Sequence, residues 1–381
     1  MKRLELPDAL RTAALDCRPV SGLTHLLYRY PARFSPGFAS ASIESYSSRG
    51  DVVLDPFVGG GTTVIEAMRL GRRAVGADIN QLALFITRAK VARPSPYELR
   101  LLRHWADEQV TRLRYTDPLT SRMAKGQTAN LDTPQFRPLL KLIALSLESV
   151  ERIGTSDRAR LLAKSAVLST CQQFLHGTRK SRSAGEYRDR LLQVAHDTID
   201  AVEVSMPVMA GAYPPLLVAC DAEFLGCSGA FRIPPVDLMV TSPPYPGIHA
   251  LYHRWQIDGR RESNAPYWIA GCEDGSGASV YTFADRKASA DDRYFAKASK
   301  VFSNIRSLMR SGGTMVQLMS FASPGSQLPR YLRTMERAGF REIRAKGAHR
   351  LWREVPGRRW QARIHGALAS SREVVLIHRA C

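Results

Sequence analysis

The apolar positions along this chain change period several times, and the changes divide it. Residues 52–54 ("VVL") form a short unbroken apolar run, followed by a glycine-rich turn; apolar spacing then becomes helical over about Thr62–Leu70, and a second run follows at Ala74–Ala77. Strand, turn, helix and strand in this order make one βαβ unit, whose crossover is expected to be right-handed. Before it, "GFASASIESYS" places its apolar residues at helical spacing. Residues 95–210 read differently. "PLLKLIALSLESVERI", "RARLLAKSAVLSTCQQFL" and "YRDRLLQVAHDTIDAVEV" are long helical patterns, and strand signals are nearly absent between them. Strand signals resume with "PLLVACDAEFL" and "PVDLMVTSPPY". The second of these must end at Thr241, because proline has no N–H for a ladder. Residues 246–292 show no clear period. A helix is expected at "YFAKASKVFSNIRSLMR", a strand at "TMVQLMSF", a helix at "LPRYLRTMERAG", and two last strands near 340–350 and 373–379. Strands and helices alternate, so the expected class is α/β with a mainly parallel sheet. The expected organisation is a catalytic unit made of 21–94 and 212–381, interrupted by a helical insertion over 95–211.

Composition narrows the class of protein. The chain has 381 residues, of which 44% are hydrophobic and 23% charged, an ordinary balance for a globular protein. No apolar run reaches the roughly 18 residues that a membrane helix needs. "MKRLELPDALRTAALDCRPV" has no apolar core of the kind that a secretory signal carries, so a cytoplasmic location is expected. The formal net charge is +19. An excess of that size suits a polyanionic partner, and double-stranded DNA is the leading expectation. The six cysteines form no Cys-x-x-Cys pair and have no histidine at ligand spacing, so neither a metal nor a disulfide is expected.

The turn "LDPFVGGGTT" brings in the chemistry. Gly59, Gly60 and Gly61 allow a tight turn and close approach of a ligand to the backbone, and the N–H groups opening the next helix face that ligand. Asp55 at the strand end can accept from an ammonium group. Asp78 ends the next strand, where an acid can accept from a ribose diol. A glycine turn followed by an acid is compatible with NAD, FAD or S-adenosylmethionine. The spacing is not G-x-G-x-x-G, and an acid in "DPF" would repel a pyrophosphate but suits the amino group of a methionine moiety.

"DPFVGGGTT" closely resembles motif I of the amino-group DNA methyltransferases, and "TSPPY" resembles their motif IV. "HLLYRYPARFSP" is similar to their motif X segment, "VGADIN" to motif II and "ACDAEF" to motif III. The resemblance implies a Rossmann-like methyltransferase that uses S-adenosylmethionine. It implies that Asp55, Pro56, Phe57, Gly59, Gly61, Thr62 and Thr63 surround the methionine end. Asp78 would hold the ribose, Asp221 would meet the adenine amino group, Ile79 and Ala222 would also contact the cofactor, and Phe34 and Ser35 would close over it. Ser242, Pro243, Pro244 and Tyr245 would form the catalytic loop.

A base amine is a poor nucleophile because its lone pair is delocalised into the ring. A serine hydroxyl and the carbonyl of the following proline can accept its two N–H bonds, and Tyr245 can offer a ring face to a base flipped out of the duplex. In this family, serine before Pro-Pro-Tyr is associated mostly with N4-cytosine methylation, and aspartate or asparagine with N6-adenine. The expected activity is therefore methylation of cytosine N4 in a specific duplex sequence, in a restriction–modification or defence setting. N6-adenine is the alternative, an RNA base amine a further one, and a non-catalytic binding protein the last. Motif I precedes motif IV here, whereas many N4-cytosine enzymes carry the reverse order. A cognate nuclease, and a monomer or homodimer, fit the same setting. The candidate target readers are His249, Tyr252, His253, Arg254 and Trp255 after the catalytic loop, Arg179, Lys180 and Arg182 in the insertion, and Arg358 and Arg359 between the last strands.

Overall fold

The computed structural model describes residues 6–30, 34–120, 128–131, 133–176, 183–226, 232–247, 254–257, 261–275, 282–283, 290–344, 349–355 and 372–381. Its centre is an eight-stranded sheet. Seven strands run in the order β3 (Leu216–Ala219), β2 (Arg73–Asp78), β1 (Val52–Asp55), β4 (Val236–Thr241), β7 (Met309–Met319), β10 (Arg372–Ala380), β8 (Phe340–Glu342), and β9 (Trp352–Glu354) pairs with β10 off that path. The pairs among β3, β2, β1, β4 and β7 are all parallel. β10 is antiparallel to β7, β8 and β9. The expected strand near 340–350 is thus two short strands, both paired to β10.

All four residues of β1 are buried, as a central parallel strand with both faces covered requires. Alternation sorts their side chains. Val53, with Leu238, Val240, Val316 and Leu318, faces α1 (Asp8–Leu15), α2 (Pro36–Tyr46) and α3 (Thr62–Arg69). Val52 and Leu54, with Val75, Met239 and Met315, face α10 (Ala290–Leu308) and α11 (Pro324–Arg337). α3 and α10 begin beyond the carboxyl ends of strands, as the order of patterns along the chain predicts.

A second core lies among helices. α5 (Pro96–His104) is followed by a π-helical turn, Trp105–Val110, and then by α6 (Arg137–Glu151), α7 (Asp157–Leu175) and α8 (Ala184–Val208). Their starts are set locally. Ser95 and Ser183 each form a capping box with the glutamate three residues on, and the Ser156 side chain caps α7. Trp105 is fully buried and donates from Nε1 to Ser149 Oγ at 2.9 Å. This core also takes in Leu82 and Phe85 of α4 (Gln81–Lys90), and a piece that showed no period in the sequence. That piece is the hairpin of β5 (Trp255–Ile257) and β6 (Arg261–Ser263), followed by α9 (Ala265–Ala270). The helices therefore share a core with the segment downstream of "TSPPY" instead of standing apart from it. Among the described residues, no helix is long and apolar enough to cross a membrane.

Candidate active site

β2 and β3 extend the sheet on one side of β1, and β4 and β7 extend it on the other, so the strand order reverses between β1 and β4. In open parallel sheets, ligands bind outside the carboxyl ends of the strands at this switch point. The two motifs singled out in the sequence leave the sheet there, one after Asp55 and the other after Thr241.

The glycine turn is shaped by close packing. Gly59 and Gly61 have φ of +46° and +80°, in the left-handed region. A Cβ on Gly61 would lie 2.8 Å from Thr87 Oγ1, and one on Gly60 would lie 2.9 Å from Tyr30 Cβ. Beneath the turn, the buried Lys90 donates from Nζ to the Gly60 carbonyl at 2.9 Å. The Asp78 carboxylate accepts from Gly59 N at 2.9 Å and from Asn80 N at 2.8 Å. Burial pushes the Asp78 carboxyl up to about 6, against the lowering effect of these backbone donors. Asp78 is partly open, and the Ile79 side chain beside it is exposed. The backbone donors around Asp78 are those of Asn80, Gly59 and Ile79, fewer than the roughly four lone-pair sites of a carboxylate.

Asp55 is buried at the junction of the two motifs. Its Oδ1 accepts from Thr241 Oγ1 at 2.6 Å and from Phe57 N at 3.2 Å. Burial raises its pKa to about 6, and the donors from Thr241 and Phe57 oppose that rise. Thr63 Oγ1 donates to the Val240 carbonyl at 3.1 Å. Two side chains of the first motif thus hold the last turn of β4. Pro56, Thr62 and Thr63 are buried, whereas Phe57 is partly exposed, with its ring centroid 5.7 Å from that of Phe283.

In the second motif, Ser242, Pro244 and Tyr245 are partly exposed and Pro243 is buried. Ser242 Oγ lies 2.6 Å from Tyr245 Oη. Tyr245 Oη donates to Glu373 Oε1 at 3.1 Å, and Tyr294 Oη donates to the Pro244 carbonyl at 2.8 Å. Among the described residues, the Pro243 carbonyl accepts no hydrogen bond, so it differs from that of Pro244. Thr241, Tyr294, Lys90, Tyr30 and Glu373 were not singled out in the sequence. Tyr294, Lys90, Tyr30 and Glu373 lie outside the two motifs and meet them only through the fold; Thr241 stood in the sequence only as the residue that ends the strand before Ser-Pro-Pro.

The remaining site residues are placed as follows. Asp221, after β3, accepts from Glu223 N at 3.0 Å and from Lys297 Nζ at 2.8 Å. Ala222 is buried in the short 3-10 turn that follows. Ser35 is the N-cap of α2, and its hydroxyl accepts from Phe38 N at 3.2 Å. Two aromatic candidates pack inside the protein. Phe34 is buried edge-on against Phe38, with centroids 5.5 Å apart. Trp255 is 1% exposed and donates from Nε1 to Tyr28 Oη at 3.0 Å, so its ring packs in the helical core. Arg254 is paired with Asp274 at 2.9 Å and with Glu262 at 3.6 Å. His249, Tyr252, His253, Arg179, Lys180, Arg182, Arg358 and Arg359 lie outside the described residues.

Residues 15–87, which hold the glycine turn and Asp78, match the family model described as DNA methylase, N6_N4_Mtase. Curated relatives match the chain over short spans. M.MjaII, a type II methyltransferase of Methanocaldococcus jannaschii, is 28% identical over 79 residues, 21% of this chain and 14% of the relative. M.BamHII, an orphan methyltransferase of Bacillus amyloliquefaciens, is 38% identical over 61 residues, 16% of this chain and 23% of the relative. The matches thus span less than a quarter of either relative's length. Among solved structures, TrmN from Thermus thermophilus aligns at 12% identity and a TM-score of 0.34, over 94% of this chain and 52% of that one. The family that matches residues 15–87 uses S-adenosylmethionine, and the turn is compatible with such a cofactor: it offers backbone N–H groups and φ-positive glycines, with a carboxylate 23 residues beyond Asp55.

Proposed function

We propose that the chain is an S-adenosylmethionine-dependent DNA methyltransferase that methylates the exocyclic N4 amine of a cytosine flipped out of a specific duplex sequence. The observation that carries this proposal is the fastening of the "TSPPY" loop to the glycine turn through Asp55 and Thr241 at 2.6 Å, at the point where the sheet order reverses. Methyl donor and acceptor amine would then meet across two adjacent strand ends.

The bound cofactor would supply an activated methyl group on a sulfonium. Phe57, Gly59, Gly61 and Thr62 would line its methionine end, and Asp78 and Ile79 its ribose. Ser242 Oγ and the Pro243 carbonyl would each accept an N–H of the target amine. Drawing on both N–H bonds favours the more tetrahedral nitrogen that the attack requires, and that gain belongs mainly to the transition state. The prolines hold the carbonyl in place without needing donors of their own, and Tyr294 fixes the far end of the loop at Pro244. Asp221 is held by Lys297, so it would meet an adenine amine with the capacity left on its carboxylate. The net charge of +19 supports a duplex partner, and a segment within 95–211 or downstream of the catalytic loop would read the target.

The test is methyl-group incorporation from labelled S-adenosylmethionine into plasmid DNA and into transfer RNA, followed by digestion and mass spectrometry. N4-methylcytosine in DNA is expected. Ser242→Ala should lower the rate about a hundredfold, with cofactor affinity unchanged by calorimetry. N6-methyladenine would overturn the base assignment, and label in RNA alone would overturn the DNA assignment.

A further inference from the structure

We propose, resting on the amino-group reading above, that Glu373 is a positioning residue for Ser242, and that it acts by fixing the direction of the hydrogen bonds between them. Glu373 lies in β10, 128 residues beyond Tyr245 in the chain, and is 2% exposed. It sits directly opposite Arg353 of β9 in the antiparallel pair. Its Oε2 accepts from Arg353 Nε at 2.9 Å and from Nη2 at 2.7 Å. Arg353 is itself anchored, donating from Nη1 to the Ala14 carbonyl of α1 at 3.2 Å. Glu373 Oε1 is turned to the catalytic loop, where it takes the Tyr245 hydroxyl.

Direction follows from what each group can give. A carboxylate paired with an arginine fork accepts and does not donate. Tyrosine has one hydroxyl proton, and that proton goes to Glu373. The 2.6 Å contact between Ser242 and Tyr245 must then run from serine to tyrosine. Ser242 thereby gives its proton inward, and the lone pairs of its oxygen are left for an incoming N–H. A serine hydroxyl without this constraint could equally present its proton to the amine, with one donor facing another. The buried ion pair thus makes the serine an acceptor.

Glu373→Gln tests this with little change of shape. A glutamine amide can donate to Tyr245, after which tyrosine donates to Ser242 and the serine proton faces the amine. We expect kcat for methyl transfer to plasmid DNA to fall about tenfold or more, with KM for DNA and the calorimetric affinity for S-adenosylmethionine within about twofold of wild type. Tyr245→Phe removes the linking hydroxyl but leaves the Glu373–Arg353 pair, and should lower kcat at least as much. In the double variant, Glu373→Gln should add nothing to Tyr245→Phe, because the glutamate acts only through that hydroxyl. A glutamate that merely stabilises the sheet would cost the same factor in both backgrounds. Wild-type kcat in Glu373→Gln, or the same proportional loss with and without the tyrosine hydroxyl, would overturn the proposal. Should Glu373→Gln fail to fold, wild-type kcat in Tyr245→Phe would overturn it. If Ser242→Ala is slow while Glu373→Gln is normal, only the role of Glu373 falls. If wild type transfers no methyl group to a DNA amine, the parent reading falls and this one with it.

Discussion

Replacing Thr241 by valine should destabilise the protein in a pH-dependent way. Thr241 is buried at the end of β4, and its hydroxyl donates to Asp55 Oδ1 at 2.6 Å. Valine has nearly the same shape but no donor, so it leaves the buried carboxylate short of one partner. The Asp55 pKa is raised by burial from 3.8 to about 6 in the folded protein. A raised carboxylate means that the folded state holds a proton which the unfolded state has already lost between those values. Stability therefore falls as pH rises from about 4 to about 6, and above that the folded protein bears the full cost of an ionised, buried Asp55. The threonine bond lessens this cost, and removing it raises the carboxyl further. At pH 8 the lost bond is to an ionised group and should cost about 1.5–3 kcal/mol; at pH 5, where Asp55 is mostly protonated, it should cost about 1 kcal/mol. Urea unfolding of wild type and Thr241→Val at both pH values measures the difference. In an Asp55→Asn background the cost of Thr241→Val should not depend on pH. An equal loss at pH 5 and pH 8 in the Asp55 background, or none at pH 8, would refute the account of this junction.

Two further outcomes follow from the glycine turn. Gly61→Ala must place a Cβ 2.8 Å from Thr87 Oγ1 at a φ of +80°, so it should cost about 1–2 kcal/mol in backbone strain alone and more if Thr87 cannot move; calorimetric melting checks this, and an unchanged melting temperature would mean that the turn is looser than described. Asp78→Ala should weaken S-adenosylmethionine binding about ten- to a hundredfold, from a lost charged hydrogen bond of roughly 1.5–3 kcal/mol, while leaving DNA binding in place; unchanged cofactor affinity in a folded variant would remove Asp78 from the site.

The βαβ unit, the helical run that follows it, and the end of β4 at Thr241 were legible in the chain because each depends on local physics. Period distinguishes strand from helix, glycine permits positive φ, and proline ends a ladder. Residues 255–270 showed no period because they are two three-residue strands and a six-residue helix, each too short to repeat a pattern. Their burial comes from helices far away in sequence, which is why no local pattern signalled that Trp255 lies in the core. Phe34 is a similar case: an aromatic beside a loop motif gives no sign in the sequence of its packing on Phe38. Ser242 and Tyr245 stood out as residue types beside two prolines, but which of the two donates to the other could not be read from them. That is decided by Glu373 and Arg353, which the antiparallel pairing of β9 and β10 sets opposite each other. Local sequence determines where strands stop and where the backbone turns, because those depend on neighbours in the chain. Which buried carboxylate meets which hydroxyl depends on strand order, and strand order exists only once the sheet has formed.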